Sequence, residues 1–189
     1  MSYTYDRSKT AYGYNTHWGP GDYDPPEERE IDPHWDEHQV AQALAGAVQE
    51  DLELSAQHVA AVSQDAMRLK IKSVTAQEKS AKLEDFSSSG RGRYREESWS
   101  WDLKYVVNAD LELLGVGGKR LTAREVYDLL FDRTEFVSDC EEDGVSFSPI
   151  WEPWYDDLKI GYYGDKLKIH IRCEVSGSAS GSWAADYDY

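Results

Sequence analysis

Apolar residues recur at every second position over Trp99, Trp101, Leu103, Tyr105, Val107, Ala109, Leu111 and Leu113, with Ser100, Asp102, Lys104, Val106, Asn108, Asp110 and Glu112 between them. This period predicts one long half-buried strand, or two strands broken near Asn108, ended by Gly115, Gly117 and Gly118. The pattern returns near the C-terminus. Leu158, Ile160 and Tyr162 face one way and residues 163–166 turn the chain. Leu167, Ile169, Ile171, Cys173 and Val175 then alternate with Lys168, His170, Arg172 and Glu174. That is an antiparallel hairpin with one solvated face. Thr122, with Glu125 three residues on, forms a capping box before Val126, Leu129 and Leu130, so residues 123–133 read as a short helix. An acidic stretch at 138–144 reads as an exposed loop, and 145–150 as a short strand.

Residues 38–84 contain no proline and one glycine, Gly46, among many Ala, Gln, Glu, Leu and Lys, which predicts a long helix. Ala41, Ala45, Val48, Leu52, Ser55, Val59, Val62, Ala66, Leu69 and Ser73 fall alternately four and three apart, the 3.5-residue period of a coiled-coil-like seam. Leu44, Leu54, Met67 and Ile71 lie off the seam, so the surface seeking cover is wider than one stripe and suits a bundle or a helix lying partly on a sheet.

The flanks differ from this centre. Residues 1–37 form an extended arm in which Tyr12, Tyr14 and Trp18 stand among Gly, Pro, Asp and Ser, with prolines that forbid a continuous helix. Residues 85–95 read as a basic Ser/Gly/Arg linker, 96–176 as a small antiparallel sheet with one packed helix, and 177–189 as a flexible acidic and aromatic tail. The fold class expected is therefore α+β, with arms at both ends.

Charge sharpens the picture. The chain of 189 residues carries a formal charge of -16, which argues against a protein that wraps duplex phosphate over its whole surface. Residues 68–95 are the exception, with eight cationic and three anionic side chains. This basic island, which includes Arg91, Arg93 and Arg95, is read as the complement of an acidic surface in the same chain or in a partner. Charges interrupt every apolar run, so no membrane span is expected. The N-terminus lacks the apolar core of a secretory signal, and Cys140 and Cys173 are too few for a disulfide framework, so the expected location is cytoplasmic. Cys173, on an apolar strand face, is expected to be a buried, inert thiol.

Few residues suggest catalysis. His34-Trp35-Asp36-Glu37-His38 matches H-x-x-E-H in letters, but it follows Pro33, lacks a marked third ligand and reads better as a solvated helix start. Gly115 to Arg120 has the wrong glycine and lysine spacing for a phosphate loop. Asp156, Asp157 and Lys159 with Asp110 or Glu112 resemble a nuclease-like acidic and lysine cluster, although alternating charge on a wet strand face gives the same letters. No family resemblance, enzyme activity, metal or cofactor is implied. The reading is a non-enzymatic interaction or assembly protein, a homo- or hetero-oligomer whose protein partner is best basic. Its partner-binding residues are Arg91, Arg93, Arg95, Val59, Val62, Tyr12, Tyr14 and Trp18. The alternatives are an acidic inhibitor or immunity-type protein that covers a basic or nucleic-acid-binding target, and a single-strand-binding accessory protein that uses residues 68–95.

Overall fold

The computed structural model describes residues 9–12, 28–31, 33–89 and 96–184. In chain order the elements are β1 (Lys9–Tyr12), β2 (Glu28–Ile31), α1 (Glu37–Val62), β3 (Arg68–Ser89), β4 (Glu96–Leu114), α2 (Ala123–Phe131), β5 (Cys140–Glu142), β6 (Val145–Phe147), β7 (Leu158–Tyr163) and β8 (Lys166–Ala184). β1 and β2 pair antiparallel within the arm. The other six strands form one antiparallel sheet in the order β3-β4-β8-β6-β5, with β7 paired to the first part of β8. The fold is α+β, with a sheet larger than the small one expected. Among the described residues, no helix is long and apolar enough to cross a membrane.

β4 is the spine. Trp101, Leu103, Tyr105, Val107, Ala109, Leu111 and Leu113 are all buried, as their alternation predicts. They join Leu167, Ile169, Ile171, Cys173 and Val175 of β8, Val126 and Leu130 of α2 and the inner row of α1 in one core. The capping box is present: Glu125 N–H donates to Thr122 Oγ1 at 3.2 Å, and Thr122 N–H to Glu125 Oε2 at 2.7 Å. The acidic stretch 138–144 differs from a plain loop, because β5 within it pairs with β6.

The long helix is shorter than its composition predicts. α1 stops at Val62, where Ser63 caps it and Gln64 and Asp65 adopt φ of 51° and 63°. Asp65 N–H closes on Ala60 O at 2.8 Å, and the Ser63 hydroxyl accepts from Met67 N–H at 2.9 Å, which reverses the chain. Gly115, with φ of +79°, runs so close to this turn that a Cβ there would strike the Ala66 carbonyl. The buried row of α1 is Val40, Leu44, Val48, Leu52, Ser55 and Val59, and it lies on the sheet rather than along another helix, which corrects the coiled-coil seam. Val59 is fully buried in this contact, whereas Val62 lies beyond it and is 55% exposed.

Residues 68–84 are strand, not helix. Opposite the inward residues of β4 stand Leu69, Ile71, Val74, Ala76, Glu78, Ala81, Leu83 and Phe86, and the register shifts between Ile71 and Ser73, Glu78 and Ser80, and Leu83 and Asp85. Each shift inserts one residue, so the inward positions step by three where the chain bulges and by two elsewhere. Steps of three mixed with helix-forming residues imitate a helical stripe. Pairing continues to Ser89, so residues 85–89 of the linker expected at 85–95 are strand, and residues 90–95 lie outside the described residues.

The tail expected from 177 is also strand as far as Ala184, with 185–189 outside the described residues. Ser176, Ser178, Ser180 and Ser182 pair beside the outward positions of β4, while Gly177, Ala179 and Gly181 face inward opposite Leu103, Trp101 and Trp99. A Cβ on Gly177 would come within 2.6 Å of the Phe147 ring, and one on Gly181 within 2.5 Å of the Trp99 indole. The small inward residues are thus the space that the large rings occupy. Gly177→Ala is expected to cost about 1–3 kcal/mol through overpacking. Combined with Phe147→Leu it should cost less than the two single changes added together, measured by urea unfolding in a double-mutant cycle. Strict additivity would show that ring and glycine do not share this space.

Candidate interaction surfaces

The helical side of the molecule holds a buried ion pair beneath an aromatic cleft. Asp51 points from α1 under the chain that follows α2, and Arg133, just past the end of α2, meets it at 2.7 Å with both side chains almost wholly buried. Every polar atom is engaged. Val137 N–H donates to Asp51 Oδ1 at 3.0 Å and Trp151 Nε1 to Oδ2 at 2.9 Å. Arg133 also donates to the Ser55 hydroxyl at 3.1 Å, to the Asp51 carbonyl at 3.0 Å and to the Glu135 carbonyl. A pair buried this deeply holds only because its hydrogen bonds replace the lost water. It fixes segment 131–151 against α1.

Above it lies a cleft of about 530 Å³ lined by Tyr127, Phe131, Phe136, Trp151, Pro153 and Trp154, among others. α2 turns Val126 and Leu130 into the core and leaves Tyr127 and Phe131 at its flank. Tyr127 contacts Phe131 at 5.2 Å and Trp154 at 5.8 Å, and Phe131 meets Trp151 edge-on at 5.8 Å. Trp154 and Phe136 remain 58% and 55% exposed, which is unusual for rings of this size outside a contact surface. The Tyr127 hydroxyl is held above its ordinary range by burial and then by the charges of Asp128 and Glu152. The exposed Glu152 carboxylate lines the same cleft.

The opposite side is the open face of the sheet, where cations outnumber carboxylates. Lys70, Lys72, Lys79, Lys82, Lys104, Lys168 and Arg172 project here, with Asp85, Asp102, Asp110, Glu112 and Glu174 among them. Glu174 takes Lys79 and, at 3.4 Å, Lys104, and Glu112 takes Lys72 at 3.6 Å. The Lys79 hydrogen bond, more than any other influence, holds the Glu174 carboxyl below its usual range. Lys70, Lys159, Lys166 and Arg172 have no carboxylate partner among the described residues. Lys168 lies 4.6 Å from the centre of the Tyr163 ring, which is 61% exposed.

Three residues of the acidic and lysine cluster are brought together here: Lys159, Asp110 and Glu112 line one open depression of about 440 Å³. Asp157 lies elsewhere and accepts from Trp154 N–H at 2.8 Å. Within the depression His170 Nδ1 lies 2.7 Å from Asp110 Oδ1, and the Ser73 hydroxyl donates to Asp110 Oδ2 at 3.0 Å. The carboxylate sits between hydroxyl and imidazole, so they do not form a nucleophile and base pair.

Other expected sites resolve as structure. Asp36 caps α1, accepting from His38 N–H at 2.8 Å and Gln39 N–H at 3.1 Å. Trp35 is buried, edge-on to Trp101 at 5.4 Å and donating to Glu78 Oε2 at 3.1 Å. His34 and His38 are exposed, and the described residues contain no group of three or more His, Cys, Asp or Glu side chains placed to hold a metal ion. Gly115, Gly117 and Gly118 all take positive φ and serve the turn. Cys173 is buried, and burial pushes its thiol up to about 11, an inert group at neutral pH.

Of the expected partner-binding residues, Val59 is core and Val62 is surface. Tyr12 is described only through the backbone of β1, and Tyr14, Trp18, Arg91, Arg93 and Arg95 lie outside the described residues. Sequence reasoning missed Asp51, Arg133 and Glu78, because nothing in the string distinguishes Asp51 from Glu50 and Glu53. Matched against protein-family models, curated proteins and solved structures, the chain resembles none of them.

Removing one partner of the buried pair leaves the other charged and without water. Asp51→Ala is therefore expected to cost about 3–5 kcal/mol, while Asp51→Leu combined with Arg133→Met should recover much of that loss. Chemical denaturation of the three proteins decides it, and a mild Asp51→Ala would show that water reaches the site. On the open face, the hydrogen bond from His170 chiefly holds the Asp110 carboxyl below its ordinary range against the opposing effect of burial, with a lesser contribution from the Ser73 hydroxyl. Its stabilisation is present above the ordinary carboxylate range and disappears as pH falls through the depressed value. Asp110 is exposed, so Asp110→Asn should lower the melting temperature by no more than about 3 °C at pH 6 and leave it unchanged near pH 2.

Proposed function

We propose that this protein is a non-enzymatic assembly subunit whose open, cationic sheet face takes the acidic surface of another molecule, the simplest such surface being the helical side of a second copy. The observation that carries this reading is the partition of charge. In a chain of net charge -16, cations without a carboxylate partner among the described residues cluster on the exposed sheet face, while Glu135, Asp139, Glu141, Glu142 and Glu152 lie in β5 and the loops beside the helices. Opposite potentials on two faces guide one molecule onto the next and fix its orientation. The hydrogen bonds within Asp110, His170 and Ser73 support a binding role better than a catalytic one, since they tie up the polar groups rather than aim them at a reactant.

A second reading has its own support. An uncovered antiparallel sheet with exposed lysines and one exposed ring, Tyr163, also suits a single-stranded nucleic acid, held by charge and stacking. One series of measurements separates the two. Sedimentation velocity at low salt is expected to show species heavier than the 21.6 kDa monomer, which dissociate as salt rises because exposed charges are screened within about 10 Å at 0.1 M. Lys168→Glu with Arg172→Glu should abolish them. A monomer at every salt concentration that nevertheless shifts a labelled oligonucleotide would replace assembly by strand binding. A monomer that binds no oligonucleotide would defeat both.

A further inference from the structure

We propose that the aromatic cleft on the helical side is a receptor for an arginine side chain on an extended basic segment of a partner protein. Tyr127 and Trp154 form a wedge, with centroids 5.8 Å apart and planes at 60°, and Tyr155 continues the ring surface 5.5 Å beyond Trp154. Trp154, 58% exposed, leaves ring surface open to whatever enters the cleft, and a cation is attracted to the face of such a ring. An apolar ligand would gain from the rings alone. It would gain nothing from the carboxylates of Asp128 and Glu152, whose charges act on the Tyr127 hydroxyl at the same mouth.

The anion at the base of the cleft is not the recognition element. Asp51 has both oxygens occupied, by Val137 and by Trp151 with Arg133. Rim carboxylates remain for the incoming charge, with exposed Glu152 lining the cleft itself. The same surface already accepts guanidinium groups from its own chain: Arg133 lies 4.5 Å from the centre of the Phe136 ring, and Arg124 lies 5.7 Å from that of Tyr155. Arginine fits better than lysine, because a planar guanidinium stacks on a ring and still donates to a carboxylate from its edge. The cleft lies on the side opposite the cationic sheet face, within the acidic surface that a second copy would cover, so the titration is made at a salt concentration at which the chain is monomeric.

The test is calorimetric titration of the full chain with a nine-residue peptide of alternating glycine and arginine, beside the same peptide with citrulline in place of arginine. Citrulline keeps the shape and removes the charge. The arginine peptide should bind, and the citrulline peptide at least tenfold more weakly. Trp154→Ala and Glu152→Gln should each weaken the arginine peptide about tenfold at unchanged melting temperature, since both side chains are exposed. With the chain monomeric, the sheet-face variant Lys168→Glu with Arg172→Glu should bind it at least as tightly as the unaltered chain does. Equal binding of the two peptides would make the cleft an apolar groove and overturn the proposal. So would binding that survives Trp154→Ala, because it would then be general attraction to an acidic surface.

Discussion

A helix is a poor cover for a strand of equal residue count. At about 3.3 Å per residue the 22 residues of β3 extend roughly 70 Å, whereas the 26 residues of α1 reach about 39 Å at 1.5 Å each. The helices can therefore shield only part of the inward face that β3, β4 and β8 build together. Much of the remaining structure answers this mismatch. Three bulges interrupt the pairing of β3, each bending and twisting the strand locally, and they fit its 22 residues to the 19 of β4. Where α1 begins, Trp35 folds across the sheet, meets Trp101 edge-on and ties its indole N–H to Glu78, whose carboxylate also accepts from the Tyr105 hydroxyl at 3.0 Å. A carboxylate tolerates an inward position because two ring donors reach it there.

The same constraint determines side-chain size. At the β6 end of the sheet, large rings supply the cover that helices do not: Phe147, Trp101 and Trp99 fill the inner face while Gly177, Ala179 and Gly181 of β8 recede to admit them. The polar partners follow a comparable division. On the helical side the buried Asp51–Arg133 pair is surrounded by donors and acceptors until no polar atom is left over, which is the condition for keeping charge in a low-dielectric interior. On the sheet's open side the pairs are exposed and their worth is small. Their arrangement matters for what approaches the face more than for holding it together.

How far the sequence could be read depended on whether period and composition agreed. Over β4 both said strand, and the burial of Trp101 through Leu113 followed directly. The capping box at Thr122 and the β7–β8 hairpin were equally plain. Over 68–84 they disagreed: Lys, Gln, Glu and Ala favour helix, and each bulge turned a step of two into a step of three. The end of α1 was hidden too, since Gln64 and Asp65 take a left-handed conformation that glycine would have advertised. In β8 the error lay in weighing composition above period. Ser, Gly and Ala suggested a tether, yet Ser176, Ser178, Ser180 and Ser182 alternate strictly with Gly177, Ala179 and Gly181. The candidate surfaces were less legible than the fold. The island of charge at 68–95 was visible, but only the register of β3 against β4 and β8 brings its lysines beside Lys168 and Arg172, and nothing local to the chain unites Asp51, Arg133 and Trp151.

Two unlike faces restrict the kind of assembly available. A contact between copies that pairs the cationic sheet face with the acidic helical side uses different surfaces on the two molecules, so it cannot have the twofold symmetry of a self-complementary patch. Such a contact repeats: every copy that joins offers a free sheet face at one end and a free cleft side at the other, and the result is a ring where the rotation closes and a chain where it does not. The cleft lies within the acidic side that the next copy would cover. A basic segment seated between Trp154 and Glu152 would neutralise part of that surface and occupy its most apolar region, so partner capture and self-assembly would oppose each other through the same carboxylates.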